Sequence, residues 1–178
     1  FNRGKLLNVG FLESLNTDFI ITHDVDLIPS KNLIKDKYTP KNLDALRIYS
    51  AHQKSLGGIV KLSRNSFMKA NGFPNNIWGW GIEDRALYYR YKSLGLNISK
   101  NRFDENLSDI YCIPHQKVWE TYTGEKKKIS DLEDLIFNTG NKEIQLSHLK
   151  KSGLNNISYE IISFQKLNKH TKLISVKL

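Results

Sequence analysis

The stretch FIITHDVD, residues 19–26, decides the fold class, because a short apolar and β-branched run of strand length leads straight into Asp24 and Asp26. A strand that ends in acids suits the carboxyl edge of an open α/β sheet, where such sheets present their ligand sites. In extended backbone, residues two apart project to the same side, so Asp24 and Asp26 are expected to face one site. A divalent cation on a diphosphate is the matching ligand, since Mg²⁺ and Mn²⁺ take hard oxygen donors from one or two carboxylates and the substrate phosphates. Taken alone, the pair is a weak signal and reads first as a solvated strand end.

Upstream, Leu6, Leu7, Phe11, Leu12 and Leu15 fall at helical spacing and predict a helix over 1–15. Downstream, Pro29 to Ser55 is polar and irregular and reads as a long connection with little regular structure. Gly57 and Gly58 then open a strand, GGIVKLS. Ser63 caps a short helix through Met68 that stops at Gly72, and Phe73 to Asn76 form a turn. Glu83 to Leu94 predicts a helix ending near Gly95, with its acid pair in the first turn, where the helix dipole favours negative charge. Strand-like ISKNRF and YCIP follow, then a polar stretch from Gln116 to Ser130, and helical patterning in two pieces from Asp131 to Lys151, with Gly153 as a stop. The closing ISYEIISFQKL and TKLISVKL alternate as strands do. Interleaved helices and strands make the class α/β.

The 178 residues suit one domain, 1–178, with 39% hydrophobic and 25% charged residues, values that exclude both a disordered chain and a membrane-embedded one. No run approaches the length of a spanning helix, and the first residues lack signal-peptide order. The net charge of +9 would attract polyanions, but the lysines are scattered and only Lys126 to Lys128 form a run, so nucleic acid is not the expected partner. A single cysteine, Cys112, excludes an internal disulfide and a cysteine zinc cage, and favours a reducing compartment.

The most specific block is WGWGIED, residues 78–84, two tryptophans alternating with glycines before two acids at a helix start. Glycines let backbone approach a ligand, indoles offer faces for a sugar ring, and a carboxylate there can take a proton from a hydroxyl. The alternative is a turn whose tryptophans fill the core and whose acids only complement the dipole.

FNRGKLLNVGF, HDVDLIP, GGIVKLSRNSFMKANGFPNNIWGWGIED and a downstream His115 together resemble the β-1,4-galactosyltransferase family, glycosyltransferase family 7, and SGLNNISYEIISFQKL resembles the end of the same catalytic domain. The resemblance implies a GT-A type fold with a mixed sheet flanked by helices. It also implies transfer from a UDP-sugar to an acceptor hydroxyl, with Mn²⁺ as cofactor and inversion at the anomeric carbon. By residue, it implies Asp84 as catalytic base, Asp26 and His115 as metal ligands, Trp80 as a mobile sugar-contacting tryptophan, Glu83 as a substrate-binding acid, and Phe1 and Arg3 as nucleotide contacts. Asp24 and Gly58 belong to the same substrate-binding blocks. In that family the first strand and part of the uridine pocket precede the block that begins at Phe1, so the chain is expected to lack upstream uridine-binding strands. Trp80 and the polar span from His115 to Lys128 match loops that close over the donor.

Three positions depart from the family. Cys112 stands where some members carry a methionine ligand, and is either a thiolate ligand or a small buried hydrophobe. Ser55 replaces an aromatic residue two positions before Gly57, leaving room for a 2-acetamido group, so UDP-GalNAc is expected as a donor beside or instead of UDP-galactose. Arg85 replaces an aspartate in the acceptor site and favours an acidic acceptor, because guanidinium pairs with carboxylate, phosphate or sulfate through two hydrogen bonds. Two further readings stand beside the galactosyltransferase: a chondroitin-polymerase-like N-acetylgalactosaminyltransferase, and a carbohydrate-binding descendant that no longer catalyses. One cysteine and no anchor lead to the expectation of a microbial or viral cytoplasmic enzyme, with the Golgi lumen as the alternative if the full-length chain carries an anchor.

Overall fold

A computed structural model describes residues 1–14, 17–39, 43–50, 52–79, 81–100, 107–114 and 141–178. Helix α1 (Arg3–Glu13) starts at Asn2, whose side chain accepts the Lys5 amide hydrogen at 2.9 Å. Strand β1 (Phe19–His23) follows, then β2 (Leu27–Pro29) and helix α2 (Lys31–Lys37), capped by Ser30. Next come β3 (Ala45–Tyr49), β4 (Ile59–Ser63), α3 (Arg64–Lys69) and α4 (Glu83–Ser93). Strands β5 (Ile98–Lys100) and β6 (Ile110–Cys112), helix α5 (Lys142–Lys151), and strands β7 (Glu160–Lys166) and β8 (Lys172–Lys177) complete the described strands and α-helices.

The main sheet has the order β1-β4-β3-β5 and is mixed, with β4 antiparallel to both neighbours and β5 parallel to β3. Both faces of β4 are covered, which is why IVKL is nearly continuously apolar. Val60 and Leu62 join Phe11, Phe67, Phe73, Leu87 and Tyr91 beneath α1, α3 and α4, while Ile59 joins Leu27, Leu46 and Ile48 on the α2 side. His23 and Tyr49 both pair with Ile59, so the carboxyl ends of β1 and β3 meet the amino end of β4 at one edge. The candidate site lies there.

Two expectations need correction. The span Pro29 to Ser55, read as an irregular connection, holds α2 and β3. Both are short, and α2 buries no residue fully, so neither shows a period that sequence reading can catch; Ser30 was the available signal, a cap ahead of a helix. The predicted burial stripe of α1 is also partly wrong. Gly4, Asn8, Val9 and Phe11 are the buried residues, because Asn8 holds the turn at 73–75: its Nδ2 donates to the Phe73 carbonyl at 2.8 Å and its Oδ1 accepts the Phe73 amide hydrogen at 2.9 Å.

A second polar clamp fastens the C-terminal segment. Buried Arg90 donates to the carbonyls of Gly72 and Ser152, each at 2.8 Å, and Asn75 takes the Gly153 carbonyl at 2.7 Å. These contacts satisfy backbone groups that an apolar side chain would leave orphaned. The predicted strands ISYEIISFQKL and TKLISVKL form a two-stranded antiparallel hairpin of β7 and β8, largely exposed. Of the helix expected over Asp131 to Lys151, only α5 lies within the described residues.

Candidate active site

Asp84 sits in the first turn of α4, and the loop between β3 and β4 closes around it. The Ser55 hydroxyl donates to Asp84 Oδ2 at 2.6 Å, the Arg85 amide donates to Oδ1 at 2.7 Å, and the Leu56 amide donates to the Asp84 carbonyl at 3.0 Å. The loop approaches so closely that a Cβ on Gly57 would lie 2.4 Å from Asp84 Oδ2. Gly58 has φ +75, and a Cβ there would lie 2.4 Å from the Tyr49 carbonyl oxygen. The glycine pair is therefore required by packing at the base of the site, as well as by backbone conformation.

Beside Asp84, Arg3 bridges two carboxylates. One guanidinium nitrogen meets Glu83 Oε1 at 3.1 Å and the other pairs with Asp24. Burial opposes the Arg3 charge, but Asp24, Glu83 and Asp84 outweigh it and hold the guanidinium pKa above its ordinary value. Burial, and then the charge of Asp84, raise the Glu83 carboxyl above the usual range, with Arg3 opposing. Among the described residues, no hydrogen bond reaches the buried Glu83 Oε2. Ile82, just before these acids, is held at φ 81, an unusual conformation for a β-branched residue, while its buried side chain packs with Ile77 and Ala86.

Asp24 and Asp26 do not share a face by strand alternation. The chain leaves β1 after His23 and turns, with the Leu27 amide donating to the Asp24 carbonyl at 3.1 Å. Asp24 is committed to Arg3, whereas Asp26 lies against β6, where its carbonyl accepts the Ile113 amide hydrogen at 2.7 Å. Cys112 is paired opposite Leu27 and is exposed, so the buried-hydrophobe reading of this cysteine is excluded. Burial first, then the Cys112 thiol and the Asp26 and Asp24 carboxylates, raise the pKa of the Tyr49 hydroxyl. Sequence reading missed Tyr49, which lay inside the supposed connection.

Among the described residues, no three His, Cys, Asp or Glu side chains converge as a metal cluster. His115 and Trp80 lie outside the described residues, as do all of the expected closing span from His115 to Lys128 and the rest of the polar stretch through Ser130. Phe1 is exposed, and its carbonyl accepts the Gly79 amide hydrogen at 2.9 Å, tying the chain start to the tryptophan–glycine block. Arg85 is half-buried on the first turn of α4. Ser55, expected to shape the donor-sugar pocket, is buried with its hydroxyl directed at Asp84.

The family described as the N-terminal domain of galactosyltransferase matches residues 40–116. β-1,4-Galactosyltransferase 4 of Mus musculus is 35% identical over 174 residues, spanning 93% of this chain and 47% of the relative. β-1,4-Galactosyltransferase 1 of Bos taurus is 32% identical over 184 residues, spanning 97% and 42%. The chain thus spans about half the length of the curated relatives it matches. A Drosophila β-1,4-galactosyltransferase 7 mutant, in complex with manganese, UDP-Gal and xylobiose, superposes with a TM-score of 0.76 over 100% of this chain and 75% of that one. Its 24% identity speaks for the fold, which is GT-A type.

These relatives overturn the expectation of a microbial or viral cytoplasmic enzyme, since they are animal proteins. That expectation rested on a cysteine count and a missing anchor, and neither property of this stretch reports on where a protein resides. No described helix is long and apolar enough to cross a membrane. The likeness first read from HDVDLIP and the tryptophan–glycine block extends along nearly all of this chain, and the chain belongs to the β-1,4-galactosyltransferase family.

Proposed function

We propose that this chain carries the catalytic site of an inverting UDP-sugar hexosyltransferase that moves galactose to a glycan hydroxyl, with Asp84 as general base. The observation that carries the reading is the setting of Asp84, whose carboxylate is fixed on one oxygen by Ser55 and on the other by the Arg85 amide. Fixing the base in this way suits proton abstraction, which demands a hydrogen-bond-length approach in a defined direction. In the reaction, the acceptor oxygen forms its bond to the anomeric carbon as the bond to the UDP oxygen breaks on the opposite face, and the hydroxyl proton passes to Asp84. Glu83, with one buried oxygen unpartnered among the described residues, has an acceptor position for a sugar hydroxyl. Arg3 offsets part of the repulsion among the three neighbouring acids.

The residues present fit a divalent ion of intermediate softness. In the β2–β6 register Cys112 pairs with Leu27, the neighbour of Asp26, and with His115 three residues further along the sequence these supply a carboxylate, a thiol and an imidazole, a donor set that suits Mn²⁺ better than Mg²⁺. When bound, the ion would supply neutralisation of the leaving diphosphate. The manganese and UDP-Gal in the fly complex support both ligands.

UDP-galactose is the first donor of the proposal, and UDP-GalNAc competes for the same site. Arg85 directs the enzyme toward acidic acceptors, which Arg85→Asp would test by shifting preference toward neutral ones. UDP release by the full-length protein with Mn²⁺ is the deciding assay, run with both donors against neutral and acidic glycans. Asp84→Asn is expected to lower turnover by about 10²- to 10⁴-fold with UDP binding retained. Turnover unchanged by that substitution would remove Asp84 from its role.

A further inference from the structure

We infer that Ser55 is the positioning residue for the base, its hydroxyl acting on catalysis through Asp84; the inference rests on the transferase reading above. Ser55 Oγ lies between two partners. It accepts the Gly57 amide hydrogen at 3.0 Å, so its own hydrogen is left for Asp84 Oδ2, 2.6 Å away. A serine hydroxyl has one hydrogen, and a donor already facing Oγ fixes where that hydrogen goes.

The bond to a carboxylate is charge-assisted, and Ser55 is 3% exposed, so water does not compete for it. Backbone contacts brace the same unit. Leu56 donates its amide to the Asp84 carbonyl at 3.0 Å, and the absence of a side chain at Gly57 admits the loop to within contact of Oδ2. With the Arg85 amide on Oδ1 at 2.7 Å, both carboxylate oxygens are held and rotation about the final side-chain bond is blocked. Each oxygen keeps a lone pair for the acceptor hydroxyl. An alanine at 55 would free one oxygen and orphan the Gly57 amide at nearly unchanged side-chain size.

The test is steady-state kinetics of the full-length protein with Mn²⁺, UDP-galactose and UDP-GalNAc, each variant first checked by thermal melting. Ser55→Ala is expected to lower kcat about tenfold to a hundredfold, the scale of a misplaced catalytic group, with donor KM and donor preference unchanged. Ser55→Thr, which keeps the hydroxyl, should restore most of the loss. Ser55→Cys, close in size with a weak donor, should show the same split to a smaller degree and is decisive where the alanine variant does not fold. Placing Ser55→Ala on Asp84→Asn should cost nothing further in the residual rate, since a residue acting through the base has no effect once the base is gone. Wild-type kcat in Ser55→Ala, or a change confined to donor KM or donor preference, would overturn the inference. If Asp84→Asn keeps full turnover, the transferase reading fails instead, whatever Ser55 does.

Discussion

At the residue scale the site is built from close approaches that tolerate few side chains. Gly58 combines φ +75 with a carbonyl oxygen 2.4 Å from any added Cβ, and that neighbour is backbone, which cannot swing aside. Gly58→Ala is therefore expected to destabilise the protein by about 3 kcal/mol, the upper range for a forced backbone conformation, and to lower the urea midpoint accordingly. Gly57 meets a side-chain oxygen instead. Gly57→Ala should displace the Asp84 carboxylate, lowering turnover more than it lowers the melting temperature. The pairing of Arg3 with Asp24 and Glu83 belongs to this scale too, and sequence reading reaches its members without their mutual contact, which the structure adds to the nucleotide contact that the resemblance implies for Arg3.

At the scale of elements, polar side chains do much of the joining. Asn8 in α1 satisfies both the amide and the carbonyl of Phe73, so Asn8→Ala leaves two buried backbone groups without partners. A loss of about 2 to 4 kcal/mol in chemical denaturation follows from the cost of such groups. Helix α5 meets α4 near Arg90 and carries His148, whose pKa is lowered by burial first and then by the charges of Arg90 and Lys151. With the folded pKa below the unfolded one, the unfolded chain binds more protons in the interval between them. Stability is then full above about pH 6.5 and falls as the pH drops through that interval. His148→Gln should reduce the drop in melting temperature between about pH 7.5 and 5.5; an equal drop in both proteins would contradict this assignment. None of these partnerships follows a helical or strand period, and for that reason α1 was read with an apolar stripe that omits Asn8.

At the scale of the whole molecule, stability is uneven. The β1-β4-β3 ladder is covered on both faces, whereas every residue of β7 is exposed. The base of the hairpin is held by the Tyr159 hydroxyl, which donates to Glu13 Oε1 at 2.6 Å. An isolated two-stranded hairpin is marginally stable in water, so in this chain the amides of β7 and β8 are expected to exchange with solvent well before those of β4, as hydrogen exchange would record.

The sequence by itself determined the class of fold, the helices at both ends of the acid blocks, the two closing strands and the family, because caps, periodicity and the tryptophan–glycine block are local signals carried by neighbouring residues. The tertiary structure alone decided that the segment from Pro29 to Ser55 folds into a helix and a central strand, and that Asp24 turns to Arg3 while Asp26 meets the strand bearing Cys112. It also decided that Ser55 reaches an aspartate 29 positions away. Those outcomes depend on strand order and register, which bring distant residues to one sheet edge, and the energy of such meetings is not present in any local stretch of chain.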